Sequence, residues 1–312
     1  MSQPLTFIIG CTGVGKSSLG RELARRARGE IVSLDSMKVY RRMDVGTAKP
    51  SPEIRREIPH HVIDVVEPSE DFSVAKYVEH AEGAIADIQT RNKPVFVVGG
   101  TPMYLKALTE GLFEGPGADP KIRARLHEAA AAHGSAMLHR QLQEVDPRAA
   151  DRIHPNDLRR IVRALEVFEL TGKPISALQA QWDLERARFD YILIGVRREL
   201  ADQNHRTNDR VKRMIDAGLV DEVKSLLAEP KPLSTAARQA LGYAEIIRHL
   251  EGNVSLADAV EMIKINIRQF AKAQRTWFKR FRKTEWIDLA PDTTASEVAG
   301  ELFQRRGSLW SA

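Results

Sequence analysis

The chain has 312 residues, of which 43% are hydrophobic and 29% charged, and its net charge is +5 at pH 7. This balance, without an apolar run near the ~18 residues of a membrane span, excludes a membrane-spanning protein. The single cysteine, Cys11, excludes an internal disulfide bond and a cysteine-based zinc site. Because no secretory signal opens the sequence, we expect a cytoplasmic protein.

Buried parallel strands are predicted where apolar runs are bounded by turn residues. These runs are Leu5–Ile9, Ile31–Leu34, Val62–Val66, Val95–Val98, Tyr191–Val196 and Trp286–Leu289. Helical patterns such as Ser17–Arg28 and Ser73–Arg91 separate them. The alternation predicts an α/β fold with a doubly wound parallel sheet, which binds its ligands at the carboxyl ends of the strands.

The alternation stops between about residues 119 and 181, where helical patterns follow one another without a convincing strand. The patterns are Lys121–His133, Ser135–Glu144 and Asn156–Leu170. We therefore predict an inserted all-helical domain. The expected organisation is a first part of the core at residues 1–117, the helical insertion at 118–184, and a second part of the core at 185–312 that carries a basic C-terminal helix.

A phosphate-binding loop is predicted directly after the first strand. Its residues are Gly10, Cys11, Thr12, Gly13, Val14, Gly15, Lys16 and Ser17, which match the pattern G-x-x-x-x-G-K-S/T in full. The glycines let successive backbone N–H groups face one anion, while Lys16 adds a positive charge and Ser17 a hydroxyl for Mg²⁺. The pattern predicts a P-loop that holds a di- or triphosphate with Mg²⁺, and it leaves the compound open.

The ends of two later strands bear on which compound the loop holds. Motor and switch NTPases end a second strand in an Asp that holds Mg²⁺, whereas Val95–Val98 is followed by a Gly-Gly-Thr sequence at residues 99–101. The acid that follows a strand is Asp35. A carboxylate there is a candidate metal ligand or general base, although an Asp after a strand also occurs for purely structural reasons.

Five segments that follow one another along the chain resemble the tRNA dimethylallyltransferases, also called tRNA isopentenylpyrophosphate transferases. Besides the predicted P-loop, they are Ser33–Pro50, Gly99–Thr101 with Tyr104 and Leu105, Ile153–Asp157 with Arg159–Glu166, Gln239–Tyr243, and Arg268 and Gln269 with Ala271, Lys272, Thr276 and Trp277. Pro102, Met103 and Ala273 depart from the pattern of the family. The resemblance covers about the whole chain. It implies a P-loop core with an inserted helical domain, residues 118–184, that clamps the tRNA anticodon stem-loop.

The resemblance also implies the reaction and the residues that perform it. The substrates are dimethylallyl diphosphate, held by the P-loop with Mg²⁺ bound to Ser17, and tRNA, whose adenine 37 receives the dimethylallyl group on N6. By position in the family motifs, Asp35 is the general base, Thr101 contacts the diphosphate and its bridging oxygen, and Arg210 grips the diphosphate. The protein is expected to act as a monomer.

Several residues are expected to bind tRNA because they match family segments that do so. They are Asp35, Ser36, Met37, Lys38, Thr101, Arg123, Arg159, Arg160, Ile161, Val162, Arg163, Gln239, Arg268 and Lys272. For Arg159, Arg160 and Arg163, a solvated helix face is the alternative interpretation.

A strongly basic segment lies late in the chain, with eight Lys or Arg residues and no acid between Lys264 and Lys283. On a helix, the basic side chains at residues 268, 272, 275, 279 and 282 line one face. The apolar side chains at 263, 267, 270, 277 and 281 line another, which we expect to pack on the core. The basic face is expected to follow RNA phosphates, with a solvated surface as the alternative.

Three other functions remain open from the residues alone. An adenylate isopentenyltransferase would prenylate free AMP, ADP or ATP, and it would lack a tRNA-binding insertion. A small-molecule kinase would place ATP in the P-loop and turn it over. An RNA-binding protein with an inert P-loop would bind RNA without any prenyl transfer.

Overall fold

The structure is a computed structural model that describes residues 3–111, 115–179 and 188–310. The chain divides into two compact units. The first combines residues 1–109 with residues 189–312, and the second consists of residues 110–188. The second unit therefore begins before the predicted boundary at 118, and the predicted boundary at 184 lies outside the described residues.

A six-stranded, wholly parallel sheet forms the centre of the first unit in the described ranges. Its strands are β1 (Leu5–Gly10), β2 (Glu30–Leu34), β3 (His60–His61), β4 (Val95–Gly99), β5 (Tyr191–Arg198) and β6 (Glu285–Leu289). They lie in the order β3-β2-β4-β1-β5-β6. Every residue of β1, β2 and β4 is buried. Because successive side chains point to opposite faces, both faces of the sheet are covered there.

Helices connect the strands and form most of the rest of the described chain. In chain order they are α1 (Lys16–Ala27), α2 (Pro52–Glu57), α3 (Val74–Thr90), α4 (Pro102–Glu110), α5 (Pro120–His133), α6 (Ser135–Val145), α7 (Pro147–Ala150), α8 (Leu158–Thr171), α9 (Ile175–Gln179), α10 (Leu200–Asp216), α11 (Leu219–Leu227), α12 (Thr235–Arg238), α13 (Tyr243–Leu250), α14 (Leu256–Phe278) and α15 (Ala295–Arg306). Among the residues described, none of these helices is both long enough and apolar enough to cross a membrane.

Two predictions about these elements are wrong. The segment Val62–Val66 is not a strand: β3 is the shorter His60–His61, and the backbone of Val62 and Asp64 has φ values of 59° and 56°. Such left-handed residues interrupt the extended conformation that a strand needs. The basic helix is α14, and it is not the last one, because β6 and α15 follow it.

The second unit is built on an apolar core between its helices. Buried side chains include Leu126 of α5, Leu138 and Leu142 of α6, and Ile161 and Leu165 of α8. The core residues recur on α8 at the three- and four-residue spacing of one helix face. This face of α8 fixes the three helices against one another.

A half-buried carboxylate organises a loop of the first unit. Glu222 of α11 accepts hydrogen bonds from the backbone N–H groups of Asp44 (2.9 Å), Val45 (2.7 Å) and Gly46 (3.2 Å). The Tyr243 hydroxyl donates to the same carboxylate at 2.6 Å. Hydrogen bonds to an ionised group are the stronger kind, so Glu222 holds residues 44–46 on α11 and α13.

Replacing this carboxylate is expected to destabilise the fold. Glu222→Ala leaves three backbone donors and the Tyr243 hydroxyl without their acceptor, and we expect a loss of about 2–4 kcal/mol in the free energy of unfolding, measured by urea denaturation. Glu261→Ala is the matched control, because its side chain is 64% exposed and forms an ion pair with Lys264. Equal stability of the two variants would contradict the role given to Glu222.

Candidate active site

The carboxyl ends of three neighbouring strands bring the predicted P-loop and two predicted catalytic residues to one edge of the sheet. β1 leads into the loop of residues 10–17, β2 into Asp35, and β4 into Gly100 and Thr101. The backbone N–H groups of Gly100 and Thr101 both donate to the carbonyl oxygen of Leu34, at 3.1 and 3.2 Å. The turns after β2 and β4 are thereby joined.

The loop of residues 10–17 presents a row of free backbone donors. Gly13 and Gly15 have φ values of 88° and 99°, a conformation that favours glycine, and α1 begins at Lys16. In the described part of the chain, no protein acceptor receives a hydrogen bond from the backbone N–H groups of residues 13–17. Five consecutive free donors at the start of a helix of 12 residues form a site for an anion.

The carbonyl groups of the loop are held by side chains instead. Lys16 Nζ donates to the Cys11 carbonyl at 3.1 Å, and Arg198 Nε donates to the Val14 carbonyl at 3.0 Å. Cys11 itself is buried, which raises the pKa of its thiol. Its contribution to the site therefore comes from its backbone.

Three cations surround Asp35 beside this loop. Burial, reinforced by the charge of Arg210, lowers the pKa of Lys16 to about 8. Burial likewise lowers the pKa of Lys38 to about 8, although the nearby Asp35 opposes the shift. The Arg210 guanidinium is also buried, which lowers its pKa, and its Nε has no hydrogen-bond acceptor among the described residues. Cations that are crowded and partly desolvated in this way are arranged to receive a multiply charged anion.

Asp35 and Thr101 are locked in place by backbone donors. Asp35 Oδ1 accepts from the N–H groups of Met37 (2.9 Å) and Lys38 (3.3 Å). Thr101 Oγ1 accepts from the N–H of Ser36 at 3.2 Å. Within the described ranges, Asp35 Oδ2 receives no protein hydrogen bond, so one oxygen of the carboxylate is available to a ligand.

The low pKa values of Lys16 and Lys38 predict an unusual pH dependence of anion binding. An ordinary lysine keeps its proton up to about pH 10, whereas these two lose theirs near pH 8 and then attract an anion less. We expect the affinity for inorganic pyrophosphate, measured by titration calorimetry, to fall about ten-fold or more between pH 7 and pH 9. Pyrophosphate gains negative charge over this range, which alone would strengthen binding. Lys38→Arg keeps its charge and should flatten the profile, and an affinity that stays level in the wild type would contradict the assignment.

In the second unit, the predicted tRNA-binding residues lie in two different environments. Arg123 and Arg163 both bind the buried Glu166, at 2.8 and 2.7 Å, and Arg163 also donates to the Pro116 carbonyl at 2.8 Å. These arginines fix α5 and the segment before it to α8. The side chains of Ile161 and Val162 lie in the apolar core, whereas those of Arg159 and Arg160 are exposed.

Only part of the basic face predicted on α14 is exposed to solvent. Lys272 is exposed, but Arg268 donates to Asn208 at 3.0 Å and Arg275 points inward. Because the helix ends at Phe278, the basic residues at 279 and 282 do not continue its face. Phe270, predicted to pack on the core, is 42% exposed. Gln239, at the end of α12, is exposed.

Three residues that hold the loop were missed from the sequence. They are Arg198 at the end of β5, Gln203 on α10 and Gln274 on α14. Gln203 and Gln274 are each 3% exposed. A buried glutamine within a polar helical stretch gives no signal in the sequence.

Comparison with known proteins gives independent evidence about the family of this chain. The sequence model of the family described as IPP transferase matches residues 38–281. A tRNA dimethylallyltransferase of Geobacter metallireducens is 49% identical over 298 residues, which cover 95% of this chain and 96% of that protein. A tRNA dimethylallyltransferase of Carboxydothermus hydrogenoformans is 45% identical over 289 residues, covering 92% and 93%.

Solved structures give the same result. A full-length tRNA isopentenylpyrophosphate transferase from Bacillus halodurans superposes with a TM-score of 0.72 at 36% identity, covering 99% of this chain and 97% of its own. A eukaryotic dimethylallyltransferase acting on tRNA superposes with a TM-score of 0.77 at 27% identity, covering 98% and 77%. The chain therefore belongs to the IPP transferase family, the family of the tRNA dimethylallyltransferases.

Proposed function

We propose that this protein transfers the dimethylallyl group of dimethylallyl diphosphate to N6 of adenine 37 in tRNA anticodon loops. The observation that carries the proposal is the juxtaposition of five free loop N–H groups, three cations and one available carboxylate oxygen at one edge of the sheet. It occurs in a chain whose relatives are named for this activity. The N–H donors and the cations can bind a diphosphate leaving group, and the carboxylate can accept a proton.

The loop of residues 10–17 acts in this proposal as the P-loop of a doubly wound sheet that holds the prenyl diphosphate. Mg²⁺ fits the same place. Ser17 offers a hydroxyl in the first turn of α1, which leaves Asp35 Oδ2 available as the proton acceptor. Among the described residues, no group of three His, Cys, Asp or Glu side chains is suited to hold a metal, so we propose that the ion is held by one or two protein ligands, phosphates and water. When bound, Mg²⁺ neutralises charge on the diphosphate.

The residues of the site account for both halves of the reaction. The N6 nitrogen attacks C1 of the dimethylallyl group while the C1–O bond breaks, and the diphosphate leaves with the electron pair. Lys16, Arg210 and the loop N–H groups stabilise the negative charge that develops on the leaving group. The lone pair of N6 is delocalised into the ring, which makes the amine a weak nucleophile. Asp35 takes the N6 proton and so increases its nucleophilicity. Thr101 contacts the diphosphate and the bridging oxygen.

A cavity beside the loop offers room for the short apolar part of the donor. Its volume is about 290 Å³, and it adjoins Ser17 and Lys38. Apolar side chains line another part of the wall: Ile31, Ile54, Ile63 and Val98. A cavity with cationic and apolar parts matches a compound that joins a diphosphate to a branched hydrocarbon.

The tRNA is proposed to contact residues of both units. In the second unit the exposed Arg159 and Arg160 are the strongest candidates, and in the first unit Lys272 and Gln239. The inserted all-helical domain is proposed to clamp the anticodon stem-loop. We further propose that the enzyme works as a monomer in the cytoplasm.

The acceptor distinguishes this function from its alternatives. Purified protein is incubated with radiolabelled dimethylallyl diphosphate and Mg²⁺ in three parallel reactions. One contains an anticodon stem-loop, one contains AMP, and one contains buffer alone. Label in the RNA alone is expected. Label in AMP alone would assign the protein to the adenylate isopentenyltransferases. In a separate incubation with labelled ATP, phosphate transfer without any prenyl transfer in the first experiment would assign a kinase.

A further inference from the structure

Two buried glutamines hold a single residue of the glycine-rich loop from both sides. The Oε1 atom of Gln274 on α14 accepts the Thr12 N–H at 2.9 Å. The Nε2 atom of Gln203 on α10 donates to the Thr12 carbonyl at 2.7 Å. Both backbone polar groups of Thr12 are thus taken by side chains that reach the loop from two different helices.

Gln274 also connects the loop to the neighbouring strand. Its Nε2 donates to the Gly100 carbonyl at 2.6 Å, directly before Thr101. A Cβ atom at position 100 would lie 2.7 Å from Gln274 Nε2, so glycine permits this approach. The Thr12 N–H can only donate and the Gly100 carbonyl can only accept, which fixes the orientation of the amide between them.

The second glutamine is itself held by a charged neighbour. Arg275, the residue after Gln274, donates from Nη1 to Gln203 Oε1 at 2.9 Å. The two glutamines therefore form one continuous network that runs from α14 through α10 to the loop. A satisfied buried network of this kind makes a rigid support.

We propose that Gln203 and Gln274 are positioning residues that clamp Thr12 and so preform the anion site. With Thr12 fixed, the N–H groups of residues 13–17 converge before any ligand arrives, and the Thr12 N–H itself is withheld from the anion. A preorganised site does not have to order itself when the ligand binds. The inference rests on the proposed function, in that the anion is taken to be the diphosphate of the prenyl donor.

Pyrophosphate affinity separates a positioning role from simple support of the fold. The full chain is titrated with inorganic pyrophosphate and Mg²⁺ by calorimetry, as wild type, Gln274→Met, Gln203→Met and the double variant. Gln269→Met, an exposed glutamine on the same helix, is the matched control. We expect each single clamp variant to bind roughly 10- to 30-fold more weakly and the control to bind normally. Because both glutamines act through Thr12, the loss of affinity in the double variant should be smaller than the product of the two single fold-losses.

Hydrogen exchange tests the clamp without any substitution. In the ligand-free wild type, the Thr12 N–H is expected to exchange far more slowly than those of residues 13–17, as followed by NMR. Exchange of Thr12 as fast as its neighbours would overturn the clamp, as would a folded Gln274→Met variant with wild-type pyrophosphate affinity. Wild-type protein that binds no pyrophosphate would overturn the proposed function itself, and the clamp with it.

Discussion

Asp35→Asn is expected to reduce the rate of prenyl transfer by about 10²–10⁴-fold while the diphosphate still binds. The asparagine keeps an oxygen to accept the N–H groups of Met37 and Lys38, so the turn after β2 stays intact. What disappears is the carboxylate that takes the N6 proton. The loss should therefore fall on the single-turnover rate constant with saturating RNA and donor.

Pyrophosphate binding provides the second readout for this variant. Asp35 is the negative charge among Lys16, Lys38 and Arg210, so its removal should leave the affinity equal to or tighter than that of the wild type. Asp87→Asn, which changes an exposed carboxylate on α3, is the control. A full rate with Asp35→Asn would exclude Asp35 as the base.

Arg210→Met is expected to weaken both pyrophosphate binding and transfer, with a loss in kcat/KM of roughly 10²–10³-fold. The Nε atom of Arg210 is buried and has no acceptor among the described residues, although Asp35 lies nearby and Nη2 donates to the Thr47 carbonyl at 3.5 Å, so one donor of the guanidinium is unused in the free protein. The leaving diphosphate would supply that acceptor, and more strongly as the C1–O bond breaks. Steady-state kinetics with varied dimethylallyl diphosphate measures the effect.

The next turn of the same helix offers a control for this variant. Arg213 is an exposed arginine on α10, and Arg213→Met removes the same charge from the molecule at an exposed position close to Arg210. If both variants lose the same activity, the effect reflects net charge and not the position of Arg210. A larger loss confined to Arg210→Met supports its contact with the diphosphate.

The parts of the site that could be predicted from the sequence are those with local signals. The loop of residues 10–17 carries its pattern in eight consecutive residues, and the strands beside it are short apolar runs buried on both faces. The supports of that loop come from elsewhere. Gln274, Gln203 and Arg198 bond to residues 262, 191 and 184 positions away in the chain. Only the folded sheet brings such residues together, so no local pattern indicates them.

Predictions made from residue periodicity were wrong where the backbone conformation or the length of a helix differed from the one assumed. The segment Val62–Val66 reads as an apolar strand, yet Asp64 adopts a left-handed conformation and its carboxylate binds Lys49 and Arg55. On α14 the basic spacing extends past the end of the helix at Phe278. Charge spacing also cannot tell a solvated arginine from Arg123, whose guanidinium is bonded to the buried Glu166.

The most direct test of the account is the identity of the modified nucleoside after a single turnover. Excess enzyme is mixed with dimethylallyl diphosphate, Mg²⁺ and an anticodon stem-loop, the reaction is quenched over time, and the RNA is digested for mass spectrometry. We predict one dimethylallyl group on N6 of the adenine 3′ to the anticodon, formed together with one pyrophosphate. Release of pyrophosphate without modified adenine, or no reaction at all with this RNA, would contradict it.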